Sequence, residues 1–108
     1  MSTPKCSWPI SAKQTLEFEI YDSNDGWHKV GGIYIFSYQQ KAGSWIALYV
    51  GQTKDFSERP ATHDRLDEAV RLGATHIHAR VVSLQADRDR IEAALIQYLQ
   101  PPMNSQLR

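Results

Sequence analysis

GIYIFSYQQKAGSWIALYVGQ, residues 32–52, is the stretch of sequence that decides the fold. Its two halves, 32–38 and 44–52, are rich in Ile, Val and aromatic residues, and the polar segment QQKAG between them contains a glycine. This pattern predicts a β-hairpin. Because apolar residues fill nearly every position of both strands, we expect a sheet covered on both faces, with helices packed against it.

The chain before this hairpin is predicted to contain one strand. LEFEIY, residues 16–21, alternates apolar with acidic residues, which is typical of an edge strand. Residues 1–14 are polar with two prolines and are predicted to form an N-terminal tail, and DSNDGW at 22–27 is predicted to be a turn.

Two helices and a further strand are predicted after the hairpin. The first helix is expected to be capped by Asp55, to be kinked at Pro60 and to stop at Gly73. The last helix is expected to be capped by Asp87 and to end before Pro101, with helically spaced apolar residues at Ile91, Ala94, Leu95, Tyr98 and Leu99.

HIHARVVS, residues 76–83, separates these helices and is predicted to be the third strand. Its apolar residues Ile77, Ala79 and Val81 share one face. His76 and His78 share the other face with Arg80. No third ligand with suitable spacing accompanies the two histidines, so both are interpreted as ordinary exposed residues instead of metal ligands.

The element order favours an α+β fold, a small and mostly antiparallel sheet flanked by helices. With 108 residues, of which 42% are hydrophobic, the chain is expected to form one domain over residues 15–108. Neither a signal peptide nor an apolar run of membrane-spanning length is present, which predicts a cytoplasmic protein with no membrane partner.

Several short motifs in the same region resemble the GIY-YIG endonuclease family. Gly32-Ile33-Tyr34 is followed by Tyr49-Val50-Gly51, with Val in place of the usual central Ile. The extension Gly51-Gln52-Thr53 and Phe56 follow, and the resemblance continues in the residues that the family would use for chemistry: Arg59, His63, Glu92 and Asn104. The match spans residues 32–104 and implies a GIY-YIG nuclease-like fold and a metal-dependent endonuclease.

The resemblance also implies a role for each residue. Tyr34 corresponds to the proposed general base, Arg59 to a phosphate clamp and His63 to its assistant on the same helical face. Tyr49 would orient the water or the phosphate, and Asn104 would fix the Glu92 carboxylate through a hydrogen bond. Glu92 would hold one divalent cation, Mg²⁺ or Mn²⁺, because a carboxylate with waters and a substrate phosphate is an ordinary ligand set for such an ion.

Each of these residues also has an ordinary structural interpretation. The tyrosines could be packing residues, Arg59 and His63 surface residues, and Glu92 the partner of Arg88 four residues earlier. Asn104 could be a turn residue. Pro60 directly follows Arg59 and could displace it, in which case Arg65 is the nearest substitute.

The net charge argues against strong nucleic-acid binding by charge alone and, with Pro60, modestly favours a domain without catalytic activity. Twelve basic and twelve acidic residues give zero net charge, whereas autonomous nucleic-acid-binding proteins usually carry an excess of Lys and Arg. DNA is the expected partner and RNA is not excluded. Target choice would come from the domain surface, a homodimer or a partner protein. The alternative function is a catalytically silent nucleic-acid-binding or partner-binding domain of the same fold.

Overall fold

The computed structural model describes residues 4–21, 30–57 and 64–104. Five strands and two helices follow one another in these ranges: β1 (Lys5–Ser11), β2 (Gln14–Tyr21), β3 (Gly32–Gln39), β4 (Trp45–Thr53), α1 (Asp64–Arg71), β5 (His76–Val81) and α2 (Gln85–Leu99). The strands form one antiparallel sheet in the order β1-β2-β5-β3-β4. The predicted α+β class and the hairpin of β3 and β4 are confirmed.

Both faces of the sheet are covered, as the apolar strands predict. Leu66 and Ala69 of α1 belong to one core cluster, together with Tyr34 and Phe36 of β3. The helix α2 contributes to a second cluster, whose members from that helix and from β3 are Ile91, Leu95, Ile33 and Ile35. Residues of opposite parity on β3 therefore enter different cores, because successive side chains of a strand point to opposite faces.

The N-terminal segment departs from the prediction. Residues 5–11, expected to be part of a tail, form β1, which pairs with β2 from Lys5 opposite Glu19 to Ser11 opposite Gln14. As a result β2 lies inside the sheet, between β1 and β5, and the prediction that it is an edge strand is wrong. The edge position of β1 accommodates Pro9, which has no N–H to give to a further strand.

The helix starts also differ from the prediction. The helix α2 begins at Gln85 after an extended Leu84, so Asp87 lies in its first turn and is not its cap. The Asp55 carboxylate accepts hydrogen bonds from the backbone and hydroxyl of Ser57, forming a local turn, and the first described helix begins at Asp64. The expected kink at Pro60 and the expected turn at 22–27 lie outside the described residues. Within the described ranges, neither helix has the length and apolarity needed to cross a bilayer.

Candidate active site

The two paired motifs meet across the hairpin. Tyr34 of β3 lies opposite Gly51 of β4, and Phe36 lies opposite Tyr49. A Cβ atom at position 51 would stand 2.5 Å from Cζ and 2.6 Å from Oη of Tyr34. Those distances are shorter than any real contact, so the Tyr34 ring lies directly over the glycine. The missing side chain at position 51 is therefore what lets the phenol approach β4 so closely.

The tyrosines of the two motifs lie near each other in one aromatic group. The ring centroids of Tyr34 and Tyr49 are 6.3 Å apart, and the Phe36 ring contacts both, at 5.2 Å from Tyr34 and 5.7 Å from Tyr49. Tyr34 is 2% exposed and Tyr49 is 9% exposed. Both residues therefore pack in the core cluster that contains Leu66 and Ala69 of α1, and they are candidate site residues as well.

A second close approach fixes the start of β3. A Cβ at Gly32 would meet the carbonyl oxygen of Arg80 at 2.1 Å and the Phe56 ring at 2.7 Å. Phe56, whose backbone N–H donates to Val30 at 2.9 Å, is buried in the same core cluster as Tyr34. The first glycine of the motif and the apolar residue that follows the second motif are therefore packing partners.

Glu92 lies on α2 and is half-buried. Its Oε1 accepts a hydrogen bond from Nε2 of Gln52 at 3.2 Å, and the same nitrogen donates to Oδ1 of Asp89 at 2.8 Å. The two carboxylate oxygens are therefore no more than about 6 Å apart. The sequence indicates no carboxylate partner for Glu92, whereas the structure places Asp89 beside it.

The surroundings shift the pKa values of the two carboxyl groups in opposite directions. Burial raises the pKa of Glu92 above its usual range, and the negative charge of Asp89 acts in the same sense, while the hydrogen bond from Gln52 partly offsets both. Hydrogen bonds from Gln52 and Gln85 lower the pKa of Asp89. The alternative partner of Glu92, Arg88, points elsewhere, because its Nη1 donates to the carbonyl oxygens of Val82 and Ser83.

Tyr34 and Glu92 are connected through consecutive residues of β4. The Tyr34 ring covers Gly51 on the side of the core cluster that contains α1. Gln52 donates a hydrogen bond to Glu92, which lies on α2, the helix that packs in the second cluster. The two candidate groups thus approach the end of one strand from its two sides.

Asn104 has a different partner from the one expected. Its side-chain oxygen accepts from the backbone N–H of Val50, and its amide nitrogen donates to the Val50 carbonyl, both at 2.9 Å. The expected hydrogen bond to Glu92 is therefore replaced by a paired contact with the middle residue of the second motif. Asn104 is 5% exposed and acts on the strand instead of on the carboxylate.

Arg59, His63 and Pro60 lie outside the described residues, so their predicted places in the site stay predictions. Arg65, the expected substitute for Arg59, forms an ion pair with Glu68 one turn later on α1, with 2.8 Å between Nη1 and Oε2. The sequence reasoning did not select Gln52, Gln85 or Asp89. Only the position of Gln52, directly after the second motif, could have drawn attention to it.

The donor set near Gln52 fits one hard divalent cation. Among the described residues, no three His, Cys, Asp or Glu side chains stand close enough to enclose a metal ion. Glu92, with Asp89 beside it, supplies carboxylate oxygens, which Mg²⁺ and Mn²⁺ prefer, and Mg²⁺ commonly takes one or two carboxylates and fills its remaining positions with water and phosphate.

No protein-family model and no curated protein matches the sequence. Among solved structures, the chain is similar to the GIY-YIG N-terminal endonuclease domain of UvrC from Thermotoga maritima, bound to magnesium as its catalytic divalent cation, with 24% identity and a TM-score of 0.56 over 70% of this chain and 84% of that one. Two point mutants of that domain, one with an asparagine replaced by alanine and one with a tyrosine replaced by phenylalanine, are each 22% identical over 70% of this chain and 83% of theirs, with TM-scores of 0.55 and 0.54.

This likeness agrees with the element order, the sheet and the paired motifs described above. The fold expected from the resemblance in sequence is therefore confirmed: the chain has the fold of a GIY-YIG endonuclease domain.

Proposed function

We propose that this protein is a metal-dependent endonuclease that hydrolyses DNA phosphodiester bonds with one divalent cation, Mg²⁺ or Mn²⁺. The observation that carries the proposal is the half-buried Glu92 carboxylate, which Gln52, directly after the second motif, holds beside Asp89. The likeness to a domain that binds magnesium as its catalytic cation supports the choice of metal.

Glu92 would hold the cation through its carboxylate. When bound, the cation would supply positive charge to the phosphoryl group and to the departing 3′ oxygen. Asp89 adds a second negative charge near Glu92, which favours a cation at this place.

Tyr34 would take a proton from the attacking water while the water oxygen bonds to phosphorus and the bond to the 3′ oxygen breaks. A phenol has an ordinary pKa of about 10, so this role requires nearby positive charge to favour the phenolate. Arg59 and His63 are the candidates for that charge, and Arg59 would also bind a phosphate oxygen. Tyr49 would orient the water or the phosphate.

The test is cleavage of plasmid, linear duplex and single-stranded DNA, with and without Mg²⁺ or Mn²⁺, by wild type and Glu92→Gln. The substitution keeps the shape of the residue and removes the negative charge that would hold the cation. We expect cleavage to fall on the order of a thousandfold or more, because each 1.4 kcal/mol of lost transition-state stabilisation is about tenfold in rate. RNA substrates in the same assay identify the nucleic acid.

Glu17→Gln is the matched control, because Glu17 is an exposed residue of β2 whose carboxylate pairs with Lys5 at 3.6 Å. This variant should cleave like wild type. Cleavage by Glu92→Gln at the wild-type rate would exclude the proposed mechanism, and a wild-type protein that binds DNA but never cleaves it would support the catalytically silent alternative.

A further inference from the structure

The Gln52 side chain uses both ends of its amide between β4 and α2. Its nitrogen donates to Asp89 and Glu92, as described above. Its oxygen accepts a hydrogen bond from Nε2 of Gln85 at 2.9 Å, and Gln85 also donates to Asp89 at 2.8 Å. Within the described ranges, Gln52 is therefore the residue that donates a hydrogen bond to the Glu92 carboxylate.

This network continues to a buried cation. Arg88 is 6% exposed, and its Nη2 donates to Oε1 of Gln85 at 2.9 Å. Its Nη1 is fixed by two backbone carbonyls, those of Val82 at 2.9 Å and Ser83 at 2.8 Å. The guanidinium therefore has one orientation, set by the backbone at the end of β5.

The two ends of the network determine how both amides are oriented. A guanidinium only donates hydrogen bonds, so the Gln85 atom that faces Arg88 must be its oxygen. The Gln85 nitrogen then faces Gln52 and requires an oxygen there. Ionised carboxylates only accept, so the Gln52 nitrogen must face Asp89 and Glu92. Reversing either amide would set donor against donor at one contact and acceptor against acceptor at another.

The Gln52 side-chain nitrogen has two hydrogens and donates one hydrogen bond to each of the two carboxylates. Sharing the donor offsets the repulsion between Asp89 and Glu92, which would otherwise push the two side chains apart. Among the described residues, the one hydrogen bond to the Glu92 side chain goes to Oε1. Gln52 thereby restricts the orientation of the carboxylate through Oε1, and within the described ranges no hydrogen bond occupies Oε2.

We propose that Gln52 is a positioning residue for Glu92, held in register by Gln85 and Arg88, and that it presets the carboxylate for the divalent cation. The inference rests on the proposed function, because it requires Glu92 to be the cation ligand. Residues that orient a metal ligand through a hydrogen bond typically change metal affinity by about 10- to 100-fold when they are replaced.

The test measures Mn²⁺ affinity of the full chain by electron paramagnetic resonance, without nucleic acid. Gln52→Leu keeps the approximate size of the side chain and removes its amide, and should weaken Mn²⁺ binding about tenfold. Gln85→Leu removes the hydrogen bond to Gln52 and not the one to Glu92, so its effect on Mn²⁺ affinity should be smaller than that of Gln52→Leu. Gln97→Leu is the matched control, since Gln97 is an exposed residue of α2 outside the network, and its affinity should equal that of wild type. Circular dichroism verifies the fold of each variant.

Cleavage at increasing Mn²⁺ separates positioning from ligation. Saturating Mn²⁺ should restore the rate of Gln52→Leu, because its carboxylate ligand is intact, but not that of Glu92→Gln. If Gln52→Leu and Gln97→Leu bind Mn²⁺ equally while Glu92→Gln loses binding, the positioning role is overturned and the proposed function stands. If Glu92→Gln binds Mn²⁺ like wild type, the proposed function itself fails.

Discussion

The Tyr34 ring fills the space that a side chain at position 51 would occupy, and this contact makes a prediction about stability. Gly51→Ala should destabilise the protein by about 1–3 kcal/mol, because the buried ring cannot move away from a new Cβ. In an ordinary strand the same change stabilises the protein by about 0.5–1 kcal/mol. The sign of the change in unfolding free energy therefore shows whether the clash with Tyr34 or the lower backbone entropy of alanine dominates. Urea unfolding measures it.

The control uses a background in which the phenol is gone. In Tyr34→Leu, the shorter side chain does not reach position 51, and adding Gly51→Ala should then be neutral or stabilising. A Gly51→Ala protein as stable as wild type would refute the close packing of the two motifs.

His78 carries a second prediction at the residue scale, one that concerns pH. It is fully buried, Nε1 of Trp8 donates to its Nδ1 at 2.7 Å, and the Trp45 ring lies edge-on at 4.5 Å. Burial lowers the pKa of His78 to about 4, and the nearby His76 adds to this shift. The folded protein therefore holds this imidazole neutral in a range where the unfolded chain, with a pKa of about 6.5, takes up a proton.

Between these two pKa values the unfolded state binds more protons, so stability falls as the pH is lowered from about 6.5 to about 4. The total loss from this residue is roughly 3 kcal/mol. Urea unfolding across that range should show the slope in wild type and in His76→Gln, and a reduced slope in His78→Gln. A slope unchanged by His78→Gln would exclude His78 as its source.

The same residue shows where reasoning from sequence stops. Alternation within HIHARVVS predicts Ile77, Ala79 and Val81 on one apolar face. Ile77 and Ala79 are buried in the core cluster that contains α1, whereas Val81 is 56% exposed. The prediction that His78 is exposed is wrong because its cover comes from Trp8, 70 positions earlier. No local pattern contains that contact.

At the scale of elements, strands and helices with a strong periodic pattern could be predicted from the sequence, whereas the strand at the edge of the sheet, β1, was not. The hairpin and β5 follow from residue spacing alone, and so does the burial of Ile91 and Leu95 on α2. Tyr98, predicted on the same apolar face of α2, is 46% exposed.

In β1, the apolar residues Cys6, Trp8 and Ile10 alternate with other residues and pack in the cluster that contains Ile91 and Leu95 of α2. The strand also contains Pro9 and is stabilised by pairing with β2 and by packing against α2. The alternation of these residues is a strand signal in the sequence, and the prediction of a tail, which relied on the polar residues and the two prolines, overlooked it.

The other edge of the sheet, β4, is covered by the segment after α2. The Met103 backbone N–H donates to the Leu48 carbonyl at 3.1 Å, and the Asn104 side chain satisfies both backbone groups of Val50. The segment therefore blocks an edge that could otherwise pair with another chain. This structural use explains an asparagine at position 104 independently of catalysis.

Asn104→Leu tests this edge contact. It should destabilise the fold by about 2–4 kcal/mol, because two buried backbone groups of Val50 lose their partners and each costs about 1–3 kcal/mol. Chemical denaturation measures the loss of stability. The control is Gln97→Leu at an exposed position of α2, which should change the free energy of unfolding by less than about 0.5 kcal/mol. Equal stability of the two variants would contradict the proposed role of Asn104 in covering β4.

At the scale of the whole molecule, the numbers of basic and acidic residues are equal, and some of the basic side chains are paired. The chain has twelve basic and twelve acidic residues. Three of the described basic side chains, Lys5, Arg65 and Arg90, form ion pairs, and Arg88 is buried against backbone carbonyls. The zero net charge could be foreseen from the sequence, but the pairing of charges depends on the fold. The Gln52 network also depends on the fold, because glutamines have no chemical signature in a sequence.

Balanced charge predicts weak DNA binding through few phosphate contacts. With two or three contacts, affinity should fall about 10- to 40-fold between about 50 and 200 mM salt, because each contact releases a condensed counterion. Fluorescence anisotropy with a labelled duplex and no divalent cation measures binding without cleavage.

Arg59→Ala should reduce the slope of log affinity against log salt by about one, as expected for a lost phosphate contact. Arg90→Ala, at a residue already paired with Asp87, should leave the slope unchanged. Tight binding that is insensitive to salt would contradict this prediction, since a neutral domain could achieve it only through contacts other than those with phosphate.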